Sequence, residues 1–207
     1  MIALLPLGLV ILVIAVIYAS IACAILWFLY NPSVSLWGAI GVATGGSAAL
    51  NIVIFLLFHR YWESIWKRFP VLNRLLFPNL NGTWEMIIHW NSEDKNGEAN
   101  AHAKITQNFL NIAMDVEAED SDSYTLMAKP KRDPESGRPL LYYVYLTTPK
   151  ATSKVKDHAQ YTGAAILQLS LESASKLSGN YFTSKKTSGY FELNRKSSNS
   201  QVKNDAQ

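Results

Sequence analysis

The chain has 207 residues, a formal net charge of +3 and a single cysteine, Cys23. One cysteine excludes an intrachain disulfide, and with it the small disulfide-stapled class of secreted domain; it agrees with a cytosolic setting for the polar part. No Asp, Glu, Lys or Arg occurs from Met1 to Phe58 and the formally charged side chains begin at Arg60, so a membrane half and an aqueous half are expected rather than one uniform globule.

Two helices come first. The apolar stretch breaks at Tyr30-Asn31-Pro32-Ser33, where Pro removes a backbone donor and Asn-Pro favours a turn. Runs from about Leu4 to Leu29 and from Leu36 to Phe58 remain, each longer than the ~20 residues that cross a ~30 Å hydrocarbon layer at ~1.5 Å per residue. The turn is uncharged, whereas Arg60, Lys67, Arg68 and Arg74 follow the second run, so the positive-inside rule places both termini in the cytoplasm. A cleaved signal peptide is the rival, but no Lys or Arg precedes the first run, and that run exceeds an h-region of ~7 to 15 residues. Ser20-Ile21-Ala22-Cys23 resembles a lipoprotein cleavage site only faintly; a core-facing membrane cysteine is the plainer reading.

In the second run Ala39, Ala43 and Ser47 recur every four residues beside a parallel row of Gly41, Gly45 and Ala49. Small-residue rows let helix backbones approach closely. Thr44 and Asn51 add polarity, and an Asn amide in hydrocarbon is costly unless another helix supplies its hydrogen bonds. Packing within the hairpin and packing between chains are both open, and the association set is Ala39, Gly41, Ala43, Gly45, Ser47 and Asn51. The connector over residues 59–78 sets Tyr61, Trp62, Trp66 and Phe69 among basic residues, a composition expected at the headgroup layer; a force-transmitting role is the alternative.

Beyond Pro78 the pattern changes to period two. Leu110, Ile112, Met114 and Val116 alternate with Asn111, Asp115, Glu117 and Glu119, which predicts a half-buried strand. Similar runs cover about Gly82 to Trp90, Glu98 to Asn108, Phe109 to Ala118, Ser123 to Lys129, Leu140 to Thr147, Tyr161 to Glu172, Lys176 to Thr183 and Gly189 to Lys196. About eight antiparallel strands suffice to close a small up-and-down barrel. The expected organisation is therefore a membrane α-helical hairpin at 1–58, a connector helix at 59–78, an all-β eight-stranded barrel at 79–196 and a disordered polar tail at 197–207.

In such a barrel alternate loops lie at opposite ends. The end where the chain enters collects Lys131, Arg132, Arg138, Arg195 and Lys196, suited to anionic headgroups of membrane lipid. At the opposite mouth Glu93, Asp94, Glu119, Asp120 and Asp122 make an acidic side, and Lys150, Lys154, Lys156, Lys185 and Lys186 a basic one. Thr147, Thr148, Tyr161, Thr183 and Ser184 lie at strand ends beside those lysines, where hydroxyls and ammonium groups can hold phosphate oxygens while Tyr145, Tyr161 or Tyr181 stacks on a base. The candidate ligand-binding set is Tyr145, Thr147, Thr148, Lys150, Tyr161, Tyr181, Thr183 and Lys185. The bland alternative is that the lysines are solvated loop tips and the tyrosines fill the barrel.

Catalysis finds little footing. The polar domain has His89, His102 and His158, no cysteine and no Gly-Lys-Ser/Thr phosphate loop. Asp115, Glu117 and Glu119 share the polar face of one strand rather than opposing each other. No enzyme, metal site or cofactor is expected.

Gly82-Thr83-Trp84 opens the first strand and Arg195 closes the last, which resembles the G-x-W and terminal Arg pairing of lipocalin-like barrels; Trp under Arg would plug that end structurally. The whole layout, with Asn79-Leu80-Asn81-Gly82-Thr83-Trp84 at the start and Gly179-Asn180-Tyr181-Phe182 and Ser188-Gly189-Tyr190-Phe191-Glu192-Leu193 near the end, resembles a bacterial antiphage family. These are the SMODS-associated effectors with two transmembrane helices and a β-strand-rich domain, from cyclic-oligonucleotide-based antiphage signalling (CBASS). The resemblance implies that a partner nucleotidyltransferase (CD-NTase) makes a cyclic dinucleotide that binds the barrel. Homo-oligomerisation, disruption of the inner membrane and death of the infected cell follow, with no DNA or RNA polymer as partner. The competing expectation is a constitutive, membrane-anchored lipocalin-like barrel for an apolar ligand, and the plainest is an interaction module.

Overall fold

The computed structural model describes residues 7–29, 35–75, 77–92, 95–109, 111–151, 159–170 and 173–196. Several side chains of the first two helices, Ala39 and Ala43 among them, lie outside that description. So do the expected turn at Tyr30 to Ser33, the residues Glu93, Asp94, Leu110, Lys154, Lys156 and His158, and the 197–207 tail.

Helix α1 spans Leu7–Leu29 and α2 spans Leu36–His59. Ser35 starts α2 as its N-cap, accepting the Gly38 amide at 3.2 Å. Among the described residues, no helix is long and apolar enough to cross a membrane, so the observed architecture is a helix pair, and its seating in lipid is a separate question. The expected demand of Asn51 is met inside the pair: the Tyr18 hydroxyl donates to Asn51 Oδ1 at 2.5 Å. The glycines of α2 divide between two faces. A Cβ on Gly46 would meet Ile25 of α1 at 3.3 Å, whereas one on Gly41 or Gly45 would meet nothing within 4 Å.

After a two-residue link come α3 (Trp62–Arg68) and α4 (Val71–Leu75). Trp62 and Trp66, expected at the headgroup layer, are instead buried in one cluster with the barrel core. Their i, i+4 spacing puts both rings on one helix face. Trp66 Nε1 donates to the Phe77 carbonyl at 3.0 Å, and its ring meets Phe109 edge-on at 5.6 Å. The connector is thus docked on the end of the barrel, with Tyr61, Lys67, Arg68 and Phe69 left outward.

The barrel closes in sequence order, every neighbour pair antiparallel and β8 returning to β1. Its strands are β1 Gly82–Ser92, β2 Lys95–Gln107, β3 Ile112–Ala118, β4 Ser121–Arg132, β5 Pro139–Pro149, β6 Tyr161–Leu169, β7 Lys176–Thr183 and β8 Ser188–Arg195. Period-two alternation turns Trp84, Met86, Ile105, Met114, Leu141, Leu167, Leu177 and Leu193 into a buried core. Phe109, expected to open β3, lies before it and packs on Trp66. Pro130, expected in a loop, lies within β4 opposite Leu141.

One end of the barrel is strapped shut. Trp84 is fully buried, its indole donates to Leu80 O at 3.0 Å, and the Arg195 guanidinium lies 5.5 Å from the ring. Arg195 donates to the carbonyls of Asn79 and Asn81. Buried Gln107 accepts the Leu80 amide at 2.7 Å and donates to Pro78 O at 3.2 Å. Gly82 has φ +138, a conformation closed to most L side chains, and its α-carbon faces the Arg195 guanidinium. The plug expected from Gly82, Trp84 and Arg195 is therefore present, extended by Gln107.

The seam between β3 and β4 is the thinnest, with registered pairs at Val116↔Ser123 and Glu117↔Asp122. Below it β4 bulges between Thr125 and Met127. A side chain closes the gap: Thr125 Oγ1 accepts from Met114 N and donates to Met114 O, both at 2.7 Å. The missing ladder also explains how β4 tolerates Pro130, because proline suits strand positions that owe no amide to a neighbour. Replacing Thr125 by Val keeps the shape but leaves Met114 N–H unmet, and destabilisation of about 1–3 kcal/mol is expected. Chemical unfolding followed by circular dichroism measures it, and wild-type stability would show that the seam does not depend on the hydroxyl.

Candidate functional site

With one end strapped shut, the β1–β2, β3–β4, β5–β6 and β7–β8 connections lie at the other, the mouth. Aromatic rings fill the lumen beneath it. Tyr143 stacks on Tyr145 with centroids 4.9 Å apart, Tyr181 stacks on Phe191 at 4.1 Å, and Tyr145 reaches Phe191 at 6.2 Å. Glycines on neighbouring strands make room for these rings. A Cβ on Gly163 would sit 2.3 Å from the Tyr145 ring, and one on Gly97 would sit 2.7 Å from Trp90.

Sequence-named residues gather on the β5–β6–β7 side, but they do not form one surface. Tyr145, Thr147 and Tyr181 are buried and face inward, whereas Thr148 points away and accepts from Gln160 Nε2 at 3.0 Å. The Thr147 hydroxyl lies 2.9 Å from that of Ser123, and Thr183 Oγ1 accepts the Thr187 amide at 3.3 Å. Lys150 donates to Ala118 O at 2.7 Å and pairs with Asp122 at 3.1 Å. The acidic and basic sides of the mouth therefore meet in an ion pair. Lys185 lies 4.8 Å over the Tyr161 ring, leaving ammonium and aromatic face adjacent. Gly41, Gly45 and Ser47 belong to α2, remote in sequence from this rim, and of the set Ala39, Gly41, Ala43, Gly45, Ser47 and Asn51 the structure pairs Asn51 with Tyr18 of α1.

A hollow lies next to that group, where β8, β1 and β2 reach the rim. It has a volume of about 690 Å³ and is lined by His89, Trp90, Asn91, Asn96, Gly97, Glu98, Asn180, Tyr181, Ser188, Gly189 and Tyr190. Tyr181 is the one sequence-named residue among them. Trp90 stands in register with Gly97 on one side and Gly189 on the other. Strand-interior glycines mark close approach, so Gly97 and Gly189 were the sequence signal for this hollow. Its lining includes three amides, a hydroxyl and three aromatic side chains from both faces of the wall: the register turns Trp90 and Tyr181 inward and His89, Glu98, Asn180 and Tyr190 outward, where His89 Nδ1 lies 3.0 Å from Glu98 and Nε2 lies 3.7 Å from Glu192. Among the described residues no three His, Cys, Asp or Glu side chains converge as a metal site.

Residues 75–195 match the family model described as Cap15, cyclic dinucleotide receptor domain. That span is more than half of the chain and coincides with the barrel and the strap beneath it. The chain belongs to the Cap15 receptor family. A relative from Staphylococcus schleiferi, CD-NTase-associated protein 15, is 24% identical over 150 residues, which cover 72% of this chain and 76% of the relative. The resemblance to CBASS effectors with a β-strand-rich domain is thereby shown.

In this Cap15-family barrel the lumen tyrosines are held neutral. Burial pushes the Tyr181 phenol up to about 12, with Tyr161 adding to the shift. Burial raises Tyr145 and Tyr143 further, helped by Tyr181 beside the first and Asp115 near the second. A pKa raised on folding contributes stability that is complete below the unfolded value near 10 and is lost as pH rises through the folded value. For Tyr181 the window runs from about pH 10 to about 12. The share of tyrosinate absorbance that belongs to Tyr143, Tyr145 and Tyr181 is expected to appear late and together with unfolding, and complete early titration of all ten tyrosines in a still-folded barrel would contradict the assignment.

Proposed function

We propose that the chain is a CBASS effector whose barrel takes a cyclic dinucleotide, the product of a partner CD-NTase, at its open mouth. The observation that carries this reading is the coincidence of the receptor-family match with a barrel strapped shut at one end and lined at the other by aromatic faces and amides. Trp90 and Tyr181 offer stacking surfaces on the inner side, and Asn91 and Asn96 at the strand ends offer the paired donor and acceptor that reads a base edge. Tyr181 borders the Tyr161–Lys185 pair as well as the hollow, so two bases and a phosphate ring can engage both halves of the rim. The sequence-named set, Tyr145, Thr147, Thr148, Lys150, Tyr161, Tyr181, Thr183 and Lys185, supplies the hydroxyls and cations on the phosphate side. No cofactor is needed for binding; the cyclic dinucleotide is an activating ligand.

The second half of the proposal concerns the helices. The stretch from Met1 to Phe58 without a formal charge and the uncovered side chains of Leu12, Val16, Trp27, Trp37, Ile52 and Phe55 support seating α1 and α2 in the inner membrane, termini cytoplasmic. Gly41 and Gly45, open on the face away from α1, support close packing between chains when ligand drives homo-oligomerisation. Membrane disruption and death of the infected cell are the outcome. The lipocalin-like alternative is less well supported, because stacked rings occupy the lumen that an apolar ligand would need.

Calorimetry on the full chain in detergent, with cyclic dinucleotides and with fatty acids, tests the first half. Nucleotide binding is expected, weakened about tenfold by Asn96→Ala or by Lys185→Ala, as the loss of ~1.4 kcal/mol requires; fatty-acid binding alone would overturn it. For the second half, Gly41→Leu with Gly45→Leu is expected to preserve nucleotide binding and abolish ligand-dependent dye release from vesicles. Unchanged release would remove the glycine face from the mechanism.

A further inference from the structure

The outer wall of the barrel consists of two unlike surfaces. On β8, β1, β2 and β3 charged side chains are spread over the outward positions, with Glu85 opposite His102 and Lys104 opposite Asp115. On β4 to β7 apolar side chains gather, bordered by the outward Lys129, Lys131, Gln168 and Ser178. Among the described residues of the barrel, all five large apolar side chains left exposed are here: Tyr124 (51%), Leu126 (57%), Met127 (52%), Ile166 (46%) and Phe182 (66%). The register makes them contiguous. Met127 pairs with Val144, Val144 with Ala164 and Ala164 with Phe182, which draws one apolar row across four strands. Tyr124 beside Leu146 and Tyr142 beside Ile166 flank it. The β4 bulge between Thr125 and Met127 enlarges the face, because the extra residue leaves Leu126 and Met127 both exposed.

We infer that this wall is the face through which two copies of the chain associate, by two-fold contact of β4–β7 with β4–β7. The exposed side chains leave on the order of 500 Å² uncovered, and the partly exposed residues between them bring the face toward the ~800 Å² that each partner gives to a standard interface. The borders match the polar rim of such a contact: Lys131 lies over the Tyr142 ring at one end, and the Asp122–Lys150 pair stands at the other. The polar sequences of residues 152–158 and 197–207 offer no match for an apolar face. Nor does the charged wall of another copy, since burying Glu85 or Lys104 against Phe182 leaves a charge without water or partner. The apolar wall finds its complement in its own copy, which makes the contact isologous and closed at two. This inference rests on the self-association proposed above and is independent of what the mouth binds.

The test uses the full chain in its own membranes with Cys23→Ser. Ala164→Cys lies in the middle of the wall, where a two-fold contact brings a residue near its own copy, and Lys104→Cys is the opposite-wall control. Oxidative cross-linking is expected to give a dimer several-fold more abundant from Ala164→Cys, reduced to the control level when Ile166→Glu and Phe182→Glu are added. Those two positions face outward, and circular dichroism verifies that the barrel persists. Equal yields from the two cysteines, or a dimer indifferent to the glutamates, would overturn the assignment. An amine-reactive cross-linker reports self-association by any surface; a chain that associates yet does not link through Ala164→Cys overturns this face alone, whereas a chain that never associates overturns the broader proposal. Quenching of a fluorophore on Ala164→Cys by spin-labelled lipid would give the wall to the bilayer and also overturn it.

Discussion

The strap beneath the barrel is the constraint on which the other parts depend. Residues 77–81 run across the end of the barrel, and their carbonyls and amides would be orphaned there without partners. Arg195, Trp84 and Gln107 supply those partners from β8, β1 and β2. The contact is not a simple cation–π pair. Burial disfavours the Arg195 charge while Glu63 favours it, and the guanidinium is retained because it meets two carbonyls as well as a ring face. Closing this end also fixes where the helices attach.

The open end follows a different logic. Small barrels usually fill their interior with side chains, and this one does so with rings laid over glycines. Pairing Tyr145 with Gly163 and Trp90 with Gly97 and Gly189 packs the lumen while hollowing the rim near β1. A β-carbon at Gly189 would lie 1.9 Å from the His89 carbonyl and 2.8 Å from the Tyr181 ring, so the space depends on backbone proximity and not only on side-chain choice.

Much of this was legible in the sequence, and the omissions have definite causes. Eight strands, their order and the Gly82–Trp84–Arg195 plug follow from period two, turn residues and one spaced pair. The β4 limits were missed because Pro130 reads as a strand end, and only the thin β3 seam shows why it is tolerated. Sequence placed Trp62 and Trp66 in a headgroup layer, since composition cannot reveal that an apolar barrel end lies within reach. The candidate site was half legible. Hydroxyl and lysine clusters pointed to β5–β7, but nothing in them shows that Lys150 is already held by Asp122 and Ala118. The asparagines around Trp90 carry no charge signal, and they become a site only when β8 closes beside β1.

Docking of the connector changes what the barrel can do to the helices. The link from α2 to α3 is Arg60 and Tyr61, both of whose amides donate to Leu56 O at 2.8 and 3.1 Å. Beyond it, Trp62 and Trp66 are buried against the barrel, Asn81 donates to Glu63 and Arg132 donates to Asn73 O. A free tether would let the barrel tumble over the helices, so that joining two barrels would constrain the helices only through local concentration. Here the link is short and hydrogen-bonded, and α3 is held on the barrel by its buried tryptophans. The contacts that remove the connector's tryptophans from the headgroup layer are the ones that tie α3 to the barrel. Association through one defined wall would then select a particular face of α2 for its neighbour, which concentration alone could not do.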